Sequence, residues 1–388
     1  LQLTDAAGEE LISYEPVVED PNPPLPEPVA PPPAPKAIES LEELYFTGLR
    51  IRQFHNARID AAAYFREALR RDPLDSRCNT MMGLIRQEAF RLEEAADHFR
   101  TALRRPTANY TRPRDGEALY HLGIVLQQQG HDAAAYDTLY RAAWDQAFAA
   151  AAYFHLSQLS TGRGDYRQAL AEVDRALRYN ASHLPARHLR ASILRRLGQT
   201  DAAAAQCRQV LEQDPLNAYA LHEQEQLGGT AAAALTKALR DQPESYLELA
   251  TRYLNAGLRE EAVSVLRRAA ASDVRQLRDY PTLHYYLGYL AHLAGATEAA
   301  KSHFSKARAL PTDYCFPYRF ESIAVYETAL QYDPSDARAH YYLGNLFYDK
   351  QPARAINHWE HAVQYEPELA IGHRNLGWGY QQHLGDPQ

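Results

Sequence analysis

Cysteine is nearly absent: the 388 residues hold three, Cys78, Cys207 and Cys315, far apart in the chain. Three scattered thiols build no disulfide framework, and no CxxC or Cys/His spacing suggests a zinc site. Positive charge is also short. Lys and Arg total 41 against 49 Asp and Glu, a net charge of −8. That balance offers no footprint for a phosphate backbone and argues against nucleic acid as a partner. No apolar run reaches the ~18–20 residues a membrane span needs. No signal-like segment opens the chain, so a cytoplasmic location is expected. A Gly-rich phosphate loop, GxSxG and HExxH are all missing. No catalytic residue, cofactor or metal ligand is therefore expected in this region. The start at Leu1 and the stop after Gly385-Asp386-Pro387-Gln388 read as the ends of an excerpt from a longer protein.

What is present divides in three. Leu1–Tyr14 alternates apolar and polar residues around Asp5-Ala6-Ala7-Gly8, which predicts a hairpin. A lone hairpin is marginal in water, so residues 1–14 are expected to be the tail of an upstream β domain. Residues 15–40 carry prolines at 16, 21, 23, 24, 26, 28, 31, 32, 33 and 35, a composition that favours extended polyproline II and a semi-rigid linker. From Leu41 to Gln388 the sequence is helical and self-similar.

The period emerges from a Leu-Gly marker or its equivalent at Met82-Gly83, Leu122-Gly123, Leu156-Ser157, Arg190-Ala191, Leu249-Ala250, Leu287-Gly288, Leu343-Gly344 and Leu376-Gly377. From Gly123 to Ser157 and from Ser157 to Ala191 the spacing is 34 residues. Alanine follows twelve residues after most markers (Ala95, Ala135, Ala169, Ala203, Ala262, Ala300). Four further on comes a larger residue: Phe99, Leu139, Val173, Cys207, Leu266, Phe304. Proline closes several units, at Pro73, Pro106, Pro215, Pro334 and Pro367, because it lacks an N–H and restricts the residue before it. Each unit therefore reads as two antiparallel helices, A and B, in close contact at small residues. One such pair cannot bury both faces, so units stack. The pattern resembles the tetratricopeptide repeat, and implies an all-α tetratricopeptide-repeat superhelix of about nine units over residues 41–388.

Two departures interrupt the period. Residues 216–243 form a shortened, degenerate unit containing Gly228-Gly229. Between Gly288 and Gly344 about one half-unit is added, and residues 312–334 are expected to be an extra half-repeat. In it, Phe320–Tyr332 is expected to be a helix B. Thr312–Tyr318 should be extended, with Tyr314, Phe316 and Tyr318 covering the exposed core edge. DYCFPYRFESIAVYETAL (Asp313–Leu330), together with Tyr45–Arg58, Asp72–Leu84 and Ala142–Ser157, resembles a bacterial family. In that family a mutarotase-like β domain of unknown function precedes a long tetratricopeptide array. The resemblance implies that residues 1–14 end such a domain. It carries over no catalytic residue.

In stacked repeats of this kind helix A lines the concave surface. Groove slots fall on His121, His155 and His188, one per successive unit. Helices ~8–10 Å apart hold such a row too widely for one ion with ~2.0–2.1 Å bonds, so polar lining is the expectation. His284, His340 and His373 occupy a slot that usually packs an aromatic, and are read as half-buried substitutes. A tyrosine-rich groove runs through Tyr285, Tyr286, Tyr289, Tyr341, Tyr342 and Tyr348 to Arg374 and Trp378. Tyrosine suits recognition because it adds a hydroxyl to a large contact area at low entropic cost. Asn345 and Asn375 stand at slots where some peptide-binding tetratricopeptide domains hold a peptide backbone with amides. Tyr341 replaces the lysine those domains use to grip a terminal carboxylate. Cys315 has no base beside it and reads as a structural thiol.

The expected function is a protein–protein interaction scaffold. Its groove would bind a peptide segment, a partner domain or the upstream β domain of its own chain. The alternative is an accessory domain of a carbohydrate-binding or carbohydrate-modifying protein. Nothing in the sequence sets the oligomeric state.

Overall fold

The computed structural model describes residues 1–16, 30–56, 58–109 and 112–384. Half of the proline-rich linker, residues 17–29, lies outside the described residues, as do the last four positions. Strands β1 (Gln2–Thr4) and β2 (Glu10–Ser13) pair antiparallel, with Leu3 opposite Ile12. The turn places Gly8 at φ 84°, where only glycine is unstrained. Both strands are exposed throughout.

The remainder is helical. Nine packed pairs follow one another: α1 (Leu41–Gln53) with α2 (Ala61–Arg71), α3 (Ser76–Glu88) with α4 (Leu92–Arg104), α5 (Glu117–Gln128) with α6 (Asp132–Ala142), α7 (Gln146–Gly162) with α8 (Tyr166–Tyr179), α9 (Leu184–Arg196) with α10 (Thr200–Gln213), α11 (Ala218–Gln226) with α12 (Ala232–Leu239), α13 (Pro243–Asn255) with α14 (Arg259–Ala270), α16 (Pro281–Leu293) with α17 (Thr297–Ala309), and α19 (Ala337–Phe347) with α20 (Pro352–Tyr365). A 3-10 turn (Pro35–Ala37), a short α15 (Arg275–Arg278), a lone α18 (Glu321–Tyr332), α21 (Ala370–Gly379) and a π-helical turn (Tyr380–Leu384) complete the helical elements among the described residues.

The marker glycine explains how each pair closes. Gly48 faces Phe65, Gly83 faces Phe99, Gly123 faces Leu139, Gly288 faces Phe304 and Gly344 faces Trp359. A Cβ on Gly48 would come within 2.7 Å of the Phe65 ring, and one on Gly288 within 2.6 Å of Phe304. The large side chain of helix B thus lies directly on the helix-A backbone. The flanking alanines, Ala95 and Ala102 around Phe99 among them, are fully buried. Where Ser157 takes the glycine position, its Oγ donates to the Ala169 carbonyl at 2.8 Å, so the buried hydroxyl is satisfied.

The turns between A and B need one left-handed residue. Glycine supplies it at Gly130, Gly164, Gly198, Gly228, Gly257 and Gly295, with φ of 73–85°. The α1–α2 and α3–α4 turns instead use His55, at φ 49°, and Phe90, at φ 59°.

In the shortened unit α11 and α12 are brief, and Arg195 bridges past them. Its guanidinium donates to Glu223 at 2.8 Å and to Glu261 of α14 at 2.6 Å. Both carboxylates are buried. Arg196 donates to the same Glu261. Buried charges need such pairing and hydrogen bonding to be tolerated.

The segment before α18 turns at Thr312–Cys315, with Tyr314 at φ 55°, then runs without helix or strand to Arg319, and its aromatic residues point the other way from expectation. Tyr314 is 84% exposed, Phe316 63% and Tyr318 62%. Cys315, Pro317 and Arg319 alternate with them and are buried. From Cys315 to Arg319 burial alternates residue by residue, as it does where successive side chains take opposite faces of the chain. Cys315 is small enough to fit against Thr282, its Sγ 3.1 Å from the hydroxyl. Arg319 is held by Glu244 and donates to Tyr318 Oη at 2.7 Å. With that face inside, the aromatic face is outside.

Candidate functional site

The central tyrosines of the expected groove are core residues. Tyr285, Tyr286, Tyr341 and Tyr342 are all buried. The cause is α18, which packs on α16 and α19. Tyr286 Oη pairs with Ser322 of α18 at 2.9 Å. The Tyr342 ring lies 5.2 Å from Tyr326 of the same helix. Tyr285 donates to the Asp336 carboxylate at 2.9 Å, and Asp336 also caps α19 by accepting from Ala339 N at 3.0 Å. Burial pushes the Asp336 carboxyl and all three phenols of Tyr285, Tyr286 and Tyr342 upward. These hydroxyls stay protonated and serve the core. Tyr289 is half-buried.

The histidine row is likewise not a common site. His121 stacks on Phe99 at 5.8 Å, and Tyr120 stands between it and His155, at 5.1 and 6.0 Å. His155 Nδ1 meets Gln127 Oε1 at 2.9 Å. His188 is buried, stacked on Tyr219 at 4.7 Å and 7°. Burial, followed by the Arg252 cation, pushes it down to about 3, and burial likewise takes His121 to about 4. All are neutral at pH 7 and pack between helices.

The remaining groove residues converge. A cleft of about 540 Å³ near the end of the array is lined by Asn345, Tyr348, Trp359, Arg374, Asn375 and Trp378. Asn345 Oδ1 accepts from Trp359 Nε1 at 3.1 Å and from Asn375 Nδ2 at 2.9 Å. Asn375 Oδ1 in turn accepts from Arg374 Nη2 at 2.9 Å. The two amide oxygens are thus engaged within the protein, which leaves Asn345 Nδ2 as a donor for the cleft. Trp378 is 54% exposed beside this chain of amides. Tyr348 packs on Trp359 at 5.1 Å, and Arg374 is exposed.

Comparison with known proteins fits this architecture. A family model described as "Tetratricopeptide repeat" matches residues 80–159, 162–218 and 247–314, more than half of the chain. A second, "TPR repeat", matches 321–351. The chain belongs to the tetratricopeptide repeat family. Similar solved structures include a tetratricopeptide repeat protein from Parabacteroides merdae, with 17% identity, 75% of this chain and 97% of that one covered, and a TM-score of 0.44. YrrB, described as a TPR protein with an unusual peptide-binding site, shows 20% identity over 53% of this chain and 93% of its own, with a TM-score of 0.36. PilF of Pseudomonas aeruginosa shows 19% identity, 57% and 96% coverage, and a TM-score of 0.43.

The tetratricopeptide array also holds a recurring polar device that sequence reasoning assigned only as aromatic substitution. His284 Nε2 donates to the carbonyl of Arg278 at 3.0 Å, His340 to Pro334 at 3.2 Å and His373 to Pro367 at 2.9 Å. Asn79 does the same to Pro73 at 3.0 Å, and Arg187 to Ala181 at 2.8 Å. Each ties helix A to the carbonyl six residues before it, in the loop between units. The signal was available in Pro73–Asn79, Pro334–His340 and Pro367–His373, all six apart. Among the described residues no group of three or more His, Cys, Asp or Glu is placed to hold a metal ion. No helix among them is long and apolar enough to cross a membrane.

Proposed function

We propose that this tetratricopeptide region is an interaction scaffold and that the cleft at Asn345, Tyr348, Arg374, Asn375 and Trp378 binds an extended peptide segment of a protein partner. The observation that carries the reading is the pairing of an exposed indole with an oriented amide donor, Trp378 with Asn345 Nδ2. An extended peptide offers carbonyls for the amide and side chains for the indole face. No catalytic step is assigned here. The test is a displayed-peptide screen against the whole chain, with hits titrated by tryptophan fluorescence. Asn345→Ala/Trp378→Ala should weaken a genuine hit at least ~tenfold, about 1.4 kcal/mol, with the chain still folded by circular dichroism. Hits that bind this variant as well as the parent would refute the assignment.

We further propose the division into residues 1–14 as the tail of a mutarotase-like β domain, 15–40 as linker and 41–388 as the array. The exposed Leu3, Leu11, Ile12 and Tyr14 favour it, since apolar residues on a two-stranded hairpin need a larger sheet to cover them. This supports a second reading, that the array is accessory to a carbohydrate-linked β domain. Oligosaccharides that quench Trp378 fluorescence where no peptide does would favour it.

A further inference from the structure

The array closes on itself. The turn between α3 and α4, near the start, touches α19 and α20 near the end. Gln351 Nε2 donates to the Ala89 carbonyl at 2.8 Å across a sequence separation of 262 residues. The Phe90 ring lies 5.7 Å from Phe320 and 6.4 Å, edge-on, from Phe347. Arg354 covers Phe347, its guanidinium 3.9 Å from the ring centroid. Nearby, Asn255 Nδ2 donates to Glu321 at 2.6 Å, joining α13 to α18.

Phe90 is the informative residue. Its turn has the same hydrogen bonds as the glycine turns: Phe90 N donates to Gln87 O and Arg91 N to Arg86 O, as Gly130 N does to Gln127 O and His131 N to Leu126 O. Six equivalent turns place glycine there, Gly228 among them, and the α1–α2 turn places His55, at φ 49°. A phenylalanine with positive φ is strained, and such strain persists only where the surroundings hold it. The rings Phe90 meets belong to Phe320 and Phe347.

We propose that Phe90 is a clasp that closes the tetratricopeptide superhelix into a ring. Phe90 and Ala89 form one jaw; Phe320, Phe347 and Gln351 form the other. Closure fixes the distance between the second pair, α3–α4, and the ninth, α19–α20, the pair that carries Asn345 and Tyr348. In that last respect the inference rests on the proposed cleft; the closure itself does not. Because the jaws meet through three rings and one side-chain hydrogen bond, the ring can open without unfolding any helix pair. Release at this seam is then the motion by which the concave face widens for a bulky partner.

The test needs no ligand, so its failure and that of the proposed cleft are distinguishable. Phe90→Gly in the whole chain relieves backbone strain and removes the clasp at once. The expected result is a larger radius of gyration by small-angle X-ray scattering. Amide exchange over residues 337–365 should also become at least ~tenfold faster, with the circular dichroism unchanged. Unchanged scattering and exchange, with a raised melting temperature, would overturn the clasp, because that is what glycine does at a left-handed position with no other role. Should the glycine variant fail to fold, Phe320→Ala, on the opposite jaw, must produce the same expansion; an unaltered radius in that variant overturns the proposal equally.

Discussion

At the scale of single residues, the contact between a helix-A glycine and a helix-B ring carries the architecture. It gives a sharp prediction. Gly288→Ala forces a Cβ into the Phe304 ring and should cost about 1–3 kcal/mol, the usual penalty for overpacking, measurable by urea unfolding. Gly295→Ala acts differently: nothing lies near its Cβ, and the loss would come only from φ 73°. The buried histidines set the pH response. His188 is held near 3 and His222 near 4, in both cases mainly by burial, while the unfolded chain titrates near ~6.5. Their folded values are lowered, so the unfolded state binds more protons between about pH 4 and 6.5. Stability is complete above ~6.5 and falls on acidification, by up to about 1.4 kcal/mol per pH unit for each histidine. Thermal scans from pH 7 to pH 4.5 should show it, and His188→Phe should flatten the slope. The glycine–aromatic pairing was legible in the sequence because both partners recur at a fixed spacing. The burial of Tyr286 and Tyr342 was not. Slot counting assigns a side chain to a helix face; it cannot show that α18 lies on that face.

At the scale of elements, the inserted segment is the departure that matters. Its existence was visible in the lengthened spacing between Gly288 and Gly344. Its facing was misread because hydrophobicity placed the aromatics inside. Two inward contacts outweigh that tendency: Cys315 against Thr282, and the ion pair of the buried Arg319 with Glu244. Arg319→Ala should therefore release the segment; Glu244 is 36% exposed and still accepts from Tyr280 at 2.6 Å, so the cost should be about 1–2 kcal/mol. The local signature is faster exchange in α18. Tyr314→Ala, by contrast, should change stability by less than about 0.5 kcal/mol, as expected for a surface position. The loops between units obey one further rule, the side-chain bond to the carbonyl six residues back. Its donor is histidine, asparagine or arginine, so no single residue type advertises it.

At the scale of the whole molecule, stacking alone would leave an open spiral with a continuous concave face. Three features alter it here: the short α11–α12 unit bridged by Arg195 and Glu261, the inserted α18, and the seam at Phe90. Of these, α18 buries the middle of the anticipated groove, while the cleft around Asn345 and Trp378 lies beyond it. The central claim is that recognition resides in this cleft and not in the buried tyrosines. Its most direct test is isothermal titration of one screened peptide against three forms of the whole chain: the parent, Asn345→Ala/Trp378→Ala, and Tyr286→Phe/Tyr342→Phe. The account predicts at least a ~tenfold loss for the cleft variant, about 1.4 kcal/mol, and parental affinity for the tyrosine variant. Parental affinity in the cleft variant, with loss in the tyrosine variant at equal melting temperature, would contradict it.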